Sequence, residues 1–255
     1  RTEAFVLVVD DVHLLHLPGC HQLLAAVYEG VPSGSTIALL TRDATPEWLA
    51  RARAEGRLVE VRDLALDHDE AAQLFTGIGA PADGPALAEA LDSSEGWAVG
   101  LYLAALAGRD GHGTTTGDFR RYLGDYLQSQ VLDTLTPDQV TFLLQTSVLE
   151  ELDGPLCNAI TGRGDSSAVL DELARRIQLV IELDGWPPRY RYHHLLADCL
   201  QVKLRGSDAD AWSQIHAKAA RWLAEQGELD SAIRHAKNSG DLGLTGELVW
   251  SGIIP

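Results

Sequence analysis

Five consecutive apolar residues, Phe5-Val6-Leu7-Val8-Val9, run straight into two carboxylates, Asp10-Asp11, within the first dozen positions of the chain. An apolar run of this length bounded by acids reads as a strand buried on both faces, the kind that occupies a parallel sheet covered by helices. The residues that follow keep the alternation. A helix is predicted near 20–29, an apolar strand over 36–41 (Thr36-Ile37-Ala38-Leu39-Leu40-Thr41), a helix from Pro46 to about Ala54 and a short strand at Leu58-Val59-Glu60-Val61. Strands alternating with helices predict an α/β layer with a parallel sheet over residues 1–62.

The position of the acids matters as much as the run before them. Ligands of parallel α/β sheets gather at the carboxyl ends of the strands, so Asp10 and Asp11 are candidate site residues. An apolar strand ending in Asp-Asp has the form of a Walker B element, in which one acid holds Mg²⁺ and its neighbour orients the attacking water. Asp10 is the expected metal ligand and Asp11 the expected catalytic residue. Two adjacent carboxylates repel one another unless a cation or donors offset them. The alternative is a solvated Asp-Asp turn that caps the next element. No G-x-x-x-x-G-K-[ST] motif occurs anywhere in the sequence, so the loop that would cradle phosphates is missing and only half of such a site is present.

Charge narrows the function classes. The 255 residues carry a formal charge of −17, which opposes a polyanion-binding surface spread over the chain. There is no basic-then-apolar leader and no apolar run long enough to span a bilayer, so a cytoplasmic location without membrane contact is expected. Cys20, Cys157 and Cys199 are far apart and odd in number, which suits neither a disulfide framework nor a zinc site. The sequence has no Met and opens almost inside a strand, and it is therefore expected to be part of a longer protein.

From about residue 63 the pattern turns helical. Asp67 or Asp69 caps a helix reaching Phe75, Pro85 opens another through Leu91, and Trp97, Leu101, Ala104 and Ala105 recur at helical spacing up to Gly108. A Gly- and Thr-rich loop over 108–117 precedes an amphipathic helix with Phe119, Tyr122, Leu123, Tyr126, Leu127 and Val131 on one face. Thr136-Pro137-Asp138-Gln139 is a capping box with proline at the first helical position. Short helices near 154–161 and 166–176 follow, then two strands, Leu179–Leu183 and Arg189–Tyr192. Three helices and a hairpin predict a winged helix. A helix from His193 to about Leu204 leads out, and Ser207 is the expected start of the next, whose buried face carries Trp212, Ile215, Ala219, Trp222 and Leu223. Residues 137–205 hold seven basic and ten acidic side chains, the wrong sign for a module that reads a DNA groove.

The order of these parts is itself informative: the Asp-Asp strand, a strand ending Thr41-Arg42-Asp43, Glu95-Gly96-Trp97, the winged helix, Arg191-Tyr192-His193, and helices bearing Ala232-Ile233-Arg234-His235-Ala236. In this order the chain resembles the MalT-like large LuxR-type transcriptional regulators, which belong to the STAND class of P-loop signal-transduction ATPases. The resemblance implies a multidomain α/β plus α architecture: half of a P-loop nucleotidase domain over 1–62, a helical lid over 63–135, a winged helix over 136–205 and the start of a TPR-like helical sensor over 206–255. It further implies ATP or ADP with Mg²⁺ as cofactors, an inducer at the downstream superhelix, self-association on activation, and DNA contact only through a C-terminal helix-turn-helix outside this sequence. Hydrolysis is expected to be slow in the full-length protein and absent from this segment.

Three further residues take roles from the resemblance. Arg42, at the carboxyl edge of the second strand, would sense the γ-phosphate; otherwise it pairs with Asp43 on the surface. His193 would reach the β-phosphate of ADP and lock a closed form; otherwise it caps a strand-to-helix junction. His194 stands where many relatives have proline, which leaves open which of the two histidines points inward. Trp97 would pack near the adenine; otherwise it is a core aromatic. A different class of function, a non-catalytic interaction scaffold built on the same architecture, is the competing expectation.

Overall fold

A computed structural model describes residues 3–15, 17–41, 46–61, 64–109 and 117–253, and the chain divides into two compact units. Arg42, which lies outside the described residues, and the 110–116 part of the predicted loop receive no structural account.

The first unit comprises residues 1–62 with 175–178. Strand β1 (Val6–Val9) pairs in parallel with β2 (Thr36–Leu39), in a register that sets Val6 opposite Thr36 and Val9 opposite Leu39. Helix α1 (Pro18–Gly30) provides the crossover, and α2 (Ala50–Ala54) follows a 3-10 turn at Glu47–Leu49. Two of the predictions need correction here. Residues 58–61 form no strand; Val59 and Val61 are exposed, and among the described residues β1 and β2 pair only with each other. Nor is β1 buried on both faces. Alternate side chains point to opposite sides of a strand, and Val6 and Val8, at 70% and 59% exposure, lie on a face that no described residue of this unit covers.

The second unit, 63–174 with 179–255, is built, among its described residues, of helices and one hairpin. Helix α3 (His68–Ile78) begins with the capping box of Asp67 and Glu70, in which each side chain accepts the other's backbone N–H. Helices α4 (Pro85–Ser94), α5 (Ala98–Arg109) and α6 (Gly117–Gln130) complete the lid region. Then come α7 (Pro137–Thr146), entered through the Thr136–Gln139 capping box, α8 (Gly154–Thr161) and α9 (Ser166–Arg176). Strands β3 (Val180–Leu183) and β4 (Arg189–Tyr192) pair antiparallel, and Leu152 exchanges two backbone hydrogen bonds with Tyr190 to extend the sheet by one residue. Three helices and a small antiparallel sheet make the winged helix, closed around Phe142, Leu143, Leu152, Ile160, Leu170 and Leu196, all essentially inaccessible.

Helix α10 (His194–Ser207) leaves the wing directly. Helices α11 (Ala209–Glu225), α12 (Leu229–Ser239) and α13 (Leu242–Ile253) follow, with Ala220, Leu223, Ala232, Ala236, Leu244 and Leu248 forming their common core. Here the start is Asp208 rather than Ser207. The Asp208 carboxylate accepts the Ala211 N–H at 2.8 Å, while Ser207 ends α10 by donating its hydroxyl to Leu204 O. A carboxylate is the better acceptor at a helix N-terminus, where the dipole favours negative charge.

Candidate functional site

The predicted site residues lie in two separate groups, one in each unit. In the first unit, Asp10 and Asp11 follow β1 at its carboxyl end. Leu40 N–H donates to Val9 O at 2.9 Å and Val12 N–H to Leu40 O at 3.0 Å, so the two strand ends emerge side by side with the acids between them. Asp10 Oδ1 accepts the Asp11 N–H at 2.7 Å, and Asp11 holds φ 52°, a left-handed conformation that Asp tolerates better than most residues. Both acids are exposed, and the Nδ1 of His13, on the following 3-10 turn, lies 3.9 Å from Asp11 Oδ1. Two exposed carboxylates at a strand end are hard oxygen donors of the type that Mg²⁺ takes while keeping several waters, so the residues present fit that ion.

In the second unit, the end of α4 meets the start of α10. Helix α4 stops because Glu95 and Gly96 both enter the left-handed region, at φ 48° and 75°. Glycine is required at 96: a Cβ there would lie 2.8 Å from Leu66 O and 2.9 Å from Ala65 Cβ, and Leu66 N–H donates to Gly96 O at 2.8 Å. Glycine at 100 serves a similar end, since a Cβ would crowd Trp97, Ser94 and Leu195, the last on α10. The close approach exposes the last carbonyls of α4 to the histidines that begin α10.

Those histidines take them. His193 is buried and is the N-cap of α10; its Nε2 lies 2.9 Å from Ser94 O, and its Nδ1 lies 3.3 Å from the Leu195 N–H. A carbonyl only accepts and an amide N–H only donates, so the ring is the Nε2–H tautomer. Burial pushes its pKa down, which also favours the neutral ring. His194 hydrogen-bonds Ser93 O through Nε2, and its Nδ1 lies 2.9 Å from Glu95 Oε1. Arg191, 96 residues from Glu95 in sequence, grips the same carboxylate with two nitrogens, Nη2 to Oε2 at 2.7 Å and Nη1 to Oε1 at 3.1 Å. The guanidinium holds the Glu95 carboxyl down at about 2; His194 reinforces this and partial burial opposes it.

Trp97, half-buried, stands beside this contact, its ring 5.9 Å from that of His193 and 5.8 Å edge-on from Tyr126 of α6. The structure thus brings Trp97 and His193 together, and it joins them to Glu95, Arg191 and His194, whose roles the sequence reading did not assign. One signal was available: the triplets Glu95-Gly96-Trp97 and Arg191-Tyr192-His193 carry opposite charges at their first positions. Of the two histidines, His193 is the buried one and His194 the half-exposed one.

Tyr192, between Arg191 and His193, anchors β4 from inside the winged helix. Thr146 donates its hydroxyl to Phe142 O at 2.7 Å, so the Tyr192 O–H is the donor in its 2.7 Å bond to Thr146 Oγ1. No helix among the described residues is long and apolar enough to cross a membrane. Residues 128–212, from the end of α6 into α11, match the family model of the MalT winged helix domain.

Proposed function

We propose that this chain is the switch segment of a MalT-like transcription regulator, in which a winged helix reports nucleotide state to a lid and to a downstream helical sensor. The observation that carries the reading is the clasp between the two: Arg191, His193 and His194, at the junction of β4 and α10, hold Glu95 and the last two carbonyls of α4. These residues lie within the stretch that matches the MalT winged helix domain, and their partners lie before it.

The energetics suit a switch. Arg191 and Glu95 are each 35% exposed, so their pair contributes about 0.2–1 kcal/mol, and each neutral hydrogen bond adds about 1 kcal/mol. Moving a population from 1:99 to 99:1 needs about 5.5 kcal/mol of differential binding, a span that a ligand can supply against such a clasp. In this reading the cofactors are ATP or ADP with Mg²⁺. Asp10 would hold the ion, Asp11 orient water, Arg42 and His193 meet the phosphates and Trp97 the base. Inducer binding to the helical region would release the clasp and permit self-association, with DNA bound by a helix-turn-helix outside this sequence. Exposed Val6 and Val8 support the idea that a further layer covers this face of the sheet in the full-length protein.

One observation favours the scaffold reading instead: His193 spends both ring nitrogens on Ser94 O and the Leu195 N–H, so a phosphate must displace one of them. Nucleotide binding and turnover by the full-length gene product separate the two. The switch predicts that Asp10→Ala abolishes Mg²⁺-dependent turnover and that His193→Ala loosens ADP retention. A full-length protein that binds neither nucleotide is a scaffold.

A further inference from the structure

We propose that Glu95, His193 and His194 form a binding site for a divalent transition metal, Zn²⁺ by the chemistry of its ligands, that ties the lid helix α4 to the winged helix. Each of the three offers one ligand atom, and these atoms all lie within 4.8 Å of one another. Ligand atoms of a tetrahedral zinc site with bonds near 2.0–2.1 Å stand about 3.3 Å apart, so the observed set needs side-chain adjustment and no refolding. Two imidazoles and a carboxylate with a fourth position left for water is a donor set that zinc takes readily.

A hydrogen-bond mismatch at His194 points to a cation. Its Nε2 contacts Ser93 O, which only accepts, so the proton of a neutral ring belongs on Nε2. That leaves the Nδ1 lone pair facing a carboxylate oxygen, Glu95 Oε1, at 2.9 Å. Two acceptors at that distance require a proton or a metal ion between them. Outer interactions of the kind that orient metal ligands are also in place: Nε2–H of each histidine meets a backbone carbonyl of α4, and Arg191 holds Oε2 of Glu95 at 2.7 Å while its Nη1 also reaches Oε1 at 3.1 Å, a contact the ion would share. His193 would join by giving up one of its two bonds, of which the 3.3 Å contact with the Leu195 N–H is the longer. Glu95 is fixed in the left-handed backbone conformation, a strained state for a residue with a Cβ, and this aims it at the two histidines from the end of α4. The Arg191 charge beside the carboxylate works against the ion and tempers its affinity.

The site does not depend on nucleotide, and it is tested without any. The 255-residue chain, stripped with chelator, is titrated with Zn²⁺ by calorimetry and with Co²⁺ by visible absorption. One saturable ion per chain, a tetrahedral Co²⁺ spectrum and a raised melting temperature with Zn²⁺ are expected. Loss of an outer-shell partner typically costs 10–100-fold in affinity, so removing a ligand by Glu95→Gln or His194→Ala should cost at least about 100-fold. Glu95→Gln keeps the side chain's shape, and circular dichroism verifies that both variants remain folded. The proposal is overturned if the wild-type chain shows no saturable binding at submillimolar metal, which would assign the clasp to a protonated His194, or if both variants bind as the wild type does, which would place the ion on other histidines.

Discussion

Single positions decide how the clasp is built. Gly96 and Gly79 both adopt positive φ, 75° and 81°, but only Gly96 has neighbours where a Cβ would go. Gly79→Ala should therefore cost about 1 kcal/mol, the conformational penalty alone, whereas Gly96→Ala should cost up to about 3 kcal/mol because the Leu66 backbone must move as well. Urea unfolding of the two variants checks the ordering; equal losses would mean that the Ala65–Leu66 contact contributes nothing. The capping box at 136 was legible from sequence, and the cap at 67 as one of two candidates, because such caps act locally; the need for glycine at 96 was not, since the Ala65 and Leu66 atoms that a Cβ would meet lie about thirty residues away. The partners of Glu95 were not, since Arg191 and His194 lie almost a hundred residues away and become neighbours only when α10 packs on α4.

Among the elements, the contact between α11 and α12 makes a different demand. His216 and His235 are both buried, with Nδ1 atoms 2.9 Å apart, and Trp212 stands edge-on to His216 at 4.5 Å. The cheaper tautomer has the Nδ1–H of His216 donating to His235, because the buried Nε2 of His216 has no hydrogen-bond partner among the described residues and a bare lone pair costs less there than an N–H. Burial, with Arg205 and His235 near His216 and Arg234 near His235, lowers both rings to about 4; Glu150 opposes this at His235. The unfolded chain takes up these protons near pH 6.5 and the folded chain does not until about 4. The histidines' contribution is thus fully present above pH 6.5 and is lost as pH falls toward 4, by up to about 2 kcal/mol per ring between pH 6.5 and 5. Urea midpoints measured from pH 7 to 5 should fall, and the fall should shrink in the His216→Gln/His235→Gln double variant. An unchanged slope would show that the two rings titrate alike in both states.

At the scale of the whole molecule, the two units differ in how well they satisfy themselves. The helical unit closes a buried apolar core around the winged helix and a second one between α11, α12 and α13. The α/β unit leaves valines of a parallel strand in solvent, and the sequence contains no phosphate-cradling loop. The 255-residue chain is therefore expected to bind ATP or ADP weakly at best, since no backbone nest or lysine of that loop is present to hold the phosphates. Calorimetric titration with each nucleotide and Mg²⁺ tests this, and submicromolar binding would mean that the described carboxylates and histidines suffice.

The amino-acid sequence alone determined the elements whose causes are short-range: the helix start at Thr136, the parallel pair behind Asp10 and Asp11, and the three-helix-and-hairpin order of the winged helix; it left the start of α3 between Asp67 and Asp69, and the structure selects Asp67. The sequence overstated β1 as a doubly buried strand and residues 58–61 as a further one, because apolar content measures the wish for burial and not the presence of something to be buried against. Only the tertiary structure decided that His193 and His194 cap α4 and that His194 and Arg191 converge on Glu95. Coulomb attraction and hydrogen-bond matching act across space, and no periodicity within either segment encodes which distant segment will complete them.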